Sequence, residues 1–200
     1  MSWGSDQTIG WGGAPLPTGE GDMKLIYSTT LTSAANSVTT GTLSTGFKSY
    51  LINVRSRSDR ANSNTSFSAV YFNGDTNASS YQIMRLYAAN AVSVTTLAQD
   101  SPAIIVMPSV AGDANFFGGA IMRVFRPEST TGFKSFSTES GSHADDNINV
   151  SQARRNFYYT GVWRNTAAIT SITFQMVSTQ SDSTLADWEA GSSFEVYGLK

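Results

Sequence analysis

The chain of 200 residues has no cysteine, a single histidine and few charges. Without cysteine there is no disulfide to staple the fold, no thiolate nucleophile and no thiolate metal ligand. His143 alone cannot build a structural zinc site without recruiting several carboxylates. No metal and no cofactor are therefore expected. Charged residues make up 14% of the chain, against about 25% in an ordinary soluble domain. Solubility falls instead to Ser, Thr, Asn and Gly, which fill the gaps between apolar runs. The net charge of −2 leaves no basic excess to draw phosphate backbones, so nucleic acid is not an expected partner. No apolar run approaches the ~20 residues of a membrane-spanning helix, and no membrane is expected. The opening Met1-Ser2-Trp3-Gly4-Ser5 lacks the charged region and apolar run of a secretory signal, so synthesis and use without Sec export are expected.

Helical periodicity is nearly absent too. Only Thr184–Ala190 could form a turn or two of helix before Gly191 stops it. From Met23 onward the apolar period is two. Tyr50, Ile52 and Val54 alternate with Leu51, Asn53 and Arg55. Ile172, Phe174 and Met176 alternate with Thr173, Gln175 and Val177. Such alternation marks half-buried strands. Further strands are predicted near 24–31, 67–72, 81–88, 92–98, 116–126, 132–138, 156–162 and 194–197. Ala103–Met107, bounded by Pro102 and Pro108, reads as a strand buried on both faces or at a subunit contact. Turns are predicted at Asn62-Ser63-Asn64, Asn73-Gly74-Asp75, Gly112-Asp113, Gly118-Gly119 and Gly141-Ser142. So many strands exceed an immunoglobulin-type domain. The expected fold is all-β, an antiparallel jelly-roll-like β-sandwich over residues 23–200.

Residues 1–22 differ from the rest. They are rich in glycine, contain Pro15 and Pro17, and carry Trp3, Ile9, Trp11 and Leu16 as isolated apolar residues. Dense glycine and proline disfavour a packed element, while a free disordered tail would be poor in aromatics. An extended N-terminal arm that docks on a partner reconciles both, the alternative being an arm folded back on its own domain.

Catalytic chemistry finds little purchase. His143 lies in Gly141-Ser142-His143-Ala144-Asp145-Asp146, where a nucleophile, a base and two acids share one polar loop. A triad needs these groups converging from separate elements, so a solvated loop is the expected reading. Asn73-Gly74-Asp75-Thr76-Asn77 offers alternating oxygens like the start of a calcium loop, but Met84 stands where such a loop needs its bidentate glutamate. Asn-Gly between strands is instead a hairpin-type turn signal. Trp163, after one strand, and Trp188, before the last, are the candidates for an exposed platform that stacks on sugar rings. Core packing is the commoner use of such residues.

Three stretches carry a resemblance. They are Phe72-Asn73-Gly74-Asp75-Thr76-Asn77 with Tyr81, Thr160-Gly161-Val162-Trp163 running on to Ile169–Phe174, and the terminal Gly191–Lys200. Together they resemble a pattern in small jelly-roll virion structural proteins of tailed bacteriophages, in which an Asn-Gly-Asp turn follows an aromatic strand and the last strand ends aromatic-glycine-aliphatic. The resemblance covers 47–90 and 155–200, and not the arm or the stretch from Val92 to Val150. It implies a non-enzymatic protein on the surface of the virion, made in the host cytoplasm. Capsid cement, or decoration, proteins of this kind are often trimers that lock neighbouring capsomers through apolar arms. The partners implied are further copies of the chain and the major capsid protein or other virion proteins. The alternative is a receptor-binding or tail-fibre-tip module that recognises host surface glycans.

Overall fold

The computed structural model describes residues 23–60, 65–89, 93–108, 116–143, 154–177 and 186–200. The proposed arm, with Trp3, Ile9, Trp11 and Leu16, lies outside them, as do the turns expected at 62–64 and 112–113.

Twelve strands are present among the described residues: β1 (Met23–Thr30), β2 (Ser37–Thr39), β3 (Ser49–Ser56), β4 (Thr65–Phe72), β5 (Tyr81–Ala89), β6 (Ser93–Gln99), β7 (Ala103–Pro108), β8 (Gly118–Phe125), β9 (Lys134–His143), β10 (Arg154–Trp163), β11 (Ile172–Val177) and β12 (Ser193–Leu199). A 3-10 turn, Ala78–Ser80, precedes β5. The strands form two antiparallel sheets packed as a sandwich. One has eight strands in the order β1-β12-β3-β8-β9-β10-β5-β6, and the other four in the order β2-β11-β4-β7. The pairings nest along the chain: β4 with β7, β3 with β8, β2 with β11 and β1 with β12. The β5–β6 and β9–β10 hairpins widen the larger sheet.

The core is the inward parity of each strand. Tyr50, Ile52 and Val54 of β3, Met122 and Val124 of β8, and Phe194 and Val196 of β12 meet Val70 and Phe72 of β4 and Ile172, Phe174 and Met176 of β11. Burial of each large apolar side chain contributes about 1.5–3 kcal/mol. β7 lies at the edge of the smaller sheet, with Ile105 and Met107 fully buried and Ile104 packed against the core from the other parity.

Three local expectations are corrected. Gly118-Gly119 and Gly141-Ser142 are not turns; they lie inside β8 and β9, where Gly119 pairs with Gly141. The Asn73-Gly74 turn is present, with φ of 53° and 68° at its two central residues and Asp75 N–H donating to the Phe72 carbonyl at 3.0 Å. It closes no hairpin, however, because β4 and β5 belong to different sheets, and the turn carries the chain around a corner between them. Residues 186–190 form no helix. Trp188 makes bridges to Ala35 and Ser58 in extended backbone, and the chain turns at Ala190-Gly191.

Candidate binding face

The corner after β4 gathers most of the residues that carry the resemblance. The left-handed backbone at Asn73, which asparagine tolerates, sets its amide against the 168–171 loop. Its Oδ1 accepts from Thr170 N–H at 2.8 Å and Ser171 N–H at 3.1 Å, and its Nδ2 donates to the Ala168 carbonyl at 2.8 Å. Asp75 accepts the Trp163 indole N–H at 2.9 Å and the Asn77 N–H at 3.1 Å. Tyr81 OH donates to the Asp75 carbonyl at 2.9 Å and accepts from Phe72 N–H at 3.0 Å. Burial pushes the Asp75 carboxyl up, but the bonds from Trp163, Ser80 and Asn77 outweigh it and hold the group below the usual carboxylate range. These oxygens are spent on holding strands of the two sheets together, which explains an Asn-Gly-Asp sequence without a bound ion. Among the described residues no three His, Cys, Asp or Glu side chains gather in a way that could hold a metal.

Trp163 and Trp188, the expected sugar platform, are both fully buried. Trp163 has the same parity in β10 as Phe157 and Tyr159, so it points into the sandwich. There it stacks on Tyr81 at 6.4 Å and lies 5.6 Å from Phe72. The Lys134 ammonium sits 5.6 Å from its ring centroid and donates to the Gly132 and Asn165 carbonyls at 3.2 and 3.1 Å. Burial pulls the pKa of this lysine down. Trp188 meets Phe194 edge-on at 5.0 Å. Neither tryptophan can stack on an external ligand.

The C-terminal part of the resemblance is also architectural. A Cβ at Gly198 would lie 2.4 Å from Phe47 Cγ, and one at Gly161 would lie 2.5 Å from Phe136 Cζ and 2.6 Å from the Gln82 carbonyl oxygen. Both glycines are places where another group comes too close for any side chain.

Chemistry facing solvent lies elsewhere, on the outer face of the eight-stranded sheet. The register lines up Asn53, Ile121, Glu139, Tyr158 and Leu86 along one rung, and Arg55, Gly119, Gly141 and Asn156 along the next. The first rung stands above the second, and the step between them forms a hollow of about 610 Å³. A second hollow of about 500 Å³ lies on the other side of Tyr158, beside Met84 and Phe125. Met84 and Ile121 are 56% and 53% exposed, high for such side chains. Arg123, in the neighbouring rung, lies over the Phe125 ring at 5.9 Å.

No protein-family model, curated protein or solved structure matches the chain.

The outer face escaped prediction because its two glycines read as turn signals and its tyrosine stood among three consecutive aromatics. The outward parity of Tyr158, set against Phe157 and Tyr159, is the signal that would have found it. Among the described residues no helix is long and apolar enough to cross a membrane. His143 ends β9, opposite Arg154, and its side chain lies outside what is described.

Proposed function

We propose that this chain is a non-enzymatic structural protein of a tailed-phage virion, a capsid cement or decoration protein that acts as a homo-oligomer, a trimer by the resemblance. The observation that carries this reading is what the resembling residues do. The Asn73–Asp75 corner, Trp163, Gly161 and Gly198 all frame the sandwich, so the resemblance is one of architecture and not of a ligand site.

We read that architecture as a jelly roll. With the β5–β6 and β9–β10 hairpins set aside, the sheets reduce to β1-β12-β3-β8 over β2-β11-β4-β7. This is one long antiparallel hairpin with its tip at β4–β7, wound so that successive pairs fall in alternate sheets. Such a wrap is common to viral capsid and lectin domains.

Residues 1–22 enter the domain at Met23, in a strand at the edge of the larger sheet and paired with Leu199 near the C-terminus. An arm leaving from an edge strand can reach a neighbouring capsomer without crossing its own domain. Trp3, Ile9, Trp11 and Leu16 are its anchors, each contributing up to about 1.5–3 kcal/mol when fully buried, multiplied across an oligomer by avidity. The receptor-binding alternative has lost its tryptophan platform.

The test is co-sedimentation with expanded capsids that lack the protein. The full chain should bind, and the full chain with these four residues changed to serine should not. Equal binding by both would remove the arm from the account, and no binding by either would remove the cement reading.

A further inference from the structure

We infer that the outer face of the eight-stranded sheet holds a saccharide-binding site, with Gly119 and Gly141 as its floor and Tyr158 as its stacking wall. The inference is separate from the role of the arm and goes beyond the cement reading.

The floor comes first. Glycine inside a strand weakens it, and usually a close approach or an unusual backbone explains its presence. Neither applies at Gly119. A Cβ there would meet nothing within 4 Å, and its backbone is not left-handed. The fold therefore has no need of glycine at this position, in contrast to Gly161 and Gly198. What glycine supplies is depth: the rung through Gly119 and Gly141 stays low beneath the wall of Ile121, Tyr158 and Leu86. The resulting hollow of about 610 Å³ falls in the roughly 300–1,000 Å³ range of small-ligand sites.

The lining sets the ligand class. Asn53, Glu139 and Asn156 bring amide donors and acceptors and one carboxylate beside the tyrosine ring, and no lysine or arginine lines the hollow. Arg55, cross-strand from Gly119, is turned onto the Phe117 ring at 4.3 Å, and the charge within the lining is the Glu139 carboxylate, which disfavours an anionic ligand. A flat apolar ligand would cover the Asn156 amide and the Glu139 carboxylate without giving them partners, which is costly. A neutral pyranose matches both halves: its C–H face packs on the tyrosine ring, and its hydroxyls exchange hydrogen bonds with the amides and carboxylate. Asn53 is held in place by donating to Glu195 Oε2 at 3.1 Å, a carboxylate that also accepts from Tyr197 OH at 2.9 Å. Tyr158 lines both hollows, so a chain of several sugar rings could cross it.

The test is NMR titration of the full chain with three probes at millimolar concentration: chitotriose, maltotriose and lactose, with glycerol as control. At least one saccharide should shift the amides of Gly119, Gly141, Asn156 and Tyr158 in a saturable way, and glycerol should not. Gly119→Val raises the floor where there is room for it and suits a strand, so it should keep or raise the melting temperature while weakening binding at least about tenfold. Tyr158→Ala should weaken it comparably. Shell binding by Gly119→Val should be unchanged, which separates a failure here from a failure of the cement reading. The inference is overturned if none of the three saccharides shifts these residues, if Gly119→Val binds as tightly as the wild type, or if the same residues shift with protein concentration alone, which would give the face to a second copy of the chain.

Discussion

Alanine substitutions at three glycines of the eight-stranded sheet should move stability in opposite directions. At Gly119 a new Cβ enters open space, so alanine acts mainly by restricting the unfolded chain and should stabilise by about 0.5–1 kcal/mol. At Gly198 the new Cβ would stand 2.4 Å from Phe47 Cγ and 2.5 Å from Cδ1 and Cδ2. Ordinary carbon contacts are about 3.5–4.0 Å, so the ring must withdraw by more than about 1 Å. Phe47 is a buried core residue, at 7% exposure, and the clash falls on the end of its ring nearest the backbone, but the obstacle is a side chain that can shift, which puts the cost at about 1–3 kcal/mol. At Gly161 one obstacle is a ring, but another is the Gln82 carbonyl at 2.6 Å, part of the backbone of the adjacent strand. A ring tilts, whereas a carbonyl moves only with its strand, so Gly161→Ala should cost about 3 kcal/mol or more. Urea denaturation of the three variants, with slopes compared for two-state behaviour, gives the order directly. Phe47→Ala removes the clashing atoms, so it should recover part of the loss in Gly198→Ala and none in Gly161→Ala, a coupling that a double-mutant cycle reads. Stability shifts of one sign in all three variants, or Gly161→Ala as the mildest of them, would refute this order.

The clasp and the buried phenols give two further outcomes. Asp75→Ala leaves the buried Trp163 indole N–H without its acceptor and should cost about 1.5–3 kcal/mol at neutral pH. Because the Asp75 pKa is lowered in the fold, its contribution is present above the unfolded value near 3.8 and is lost as pH falls through the folded value. The gap between wild type and variant should therefore narrow in urea melts at low pH, where a protonated Asp75 accepts the indole N–H more weakly, and a gap that stays the same or widens there would contradict the assignment. At the alkaline end, burial raises Tyr50 and Tyr159 to about 12 and raises Tyr81 as well. The folded state keeps these protons after the unfolded state has lost them, so stability should fall from pH ~10 upward by up to about 1.4 kcal/mol per pH unit per tyrosine. Lys134, with its lowered pKa, works in the opposite sense, since the unfolded chain stays protonated longer, and it offsets only part of the loss. Tyr159→Phe should make the slope shallower, and a flat profile above pH 10 in the wild type would contradict the burial of these phenols.

Strand positions were legible in the sequence because period-two alternation is a direct record of one face packed inward. Tyr50-Ile52-Val54 and Ile172-Phe174-Met176 lie where their pattern puts them. β2, only Ser37-Val38-Thr39, was missed because a single apolar residue makes no pattern. Sheet membership was not legible: alternation says which side chains are buried, not which strand is the neighbour, and so the Asn73-Gly74 turn suggested a hairpin where the chain turns a corner. Glycine misled in β8 and β9 because it is the same residue whether it bends a chain or floors a hollow. Trp163 was misplaced despite a usable signal, since parity with Phe157 and Tyr159 already put it inside. Trp188 had no such neighbours. Its burial follows from the long-range bridges to Ala35 and Ser58, which lie more than a hundred residues away in sequence.

Electron cryomicroscopy of intact particles would show where the protein sits. A cement protein should give density for this sandwich on the outside of the shell, in oligomers at local symmetry axes, with residues 1–22 running into the joints between capsomers. Density confined to the tail, or a particle without the protein, would contradict the cement reading.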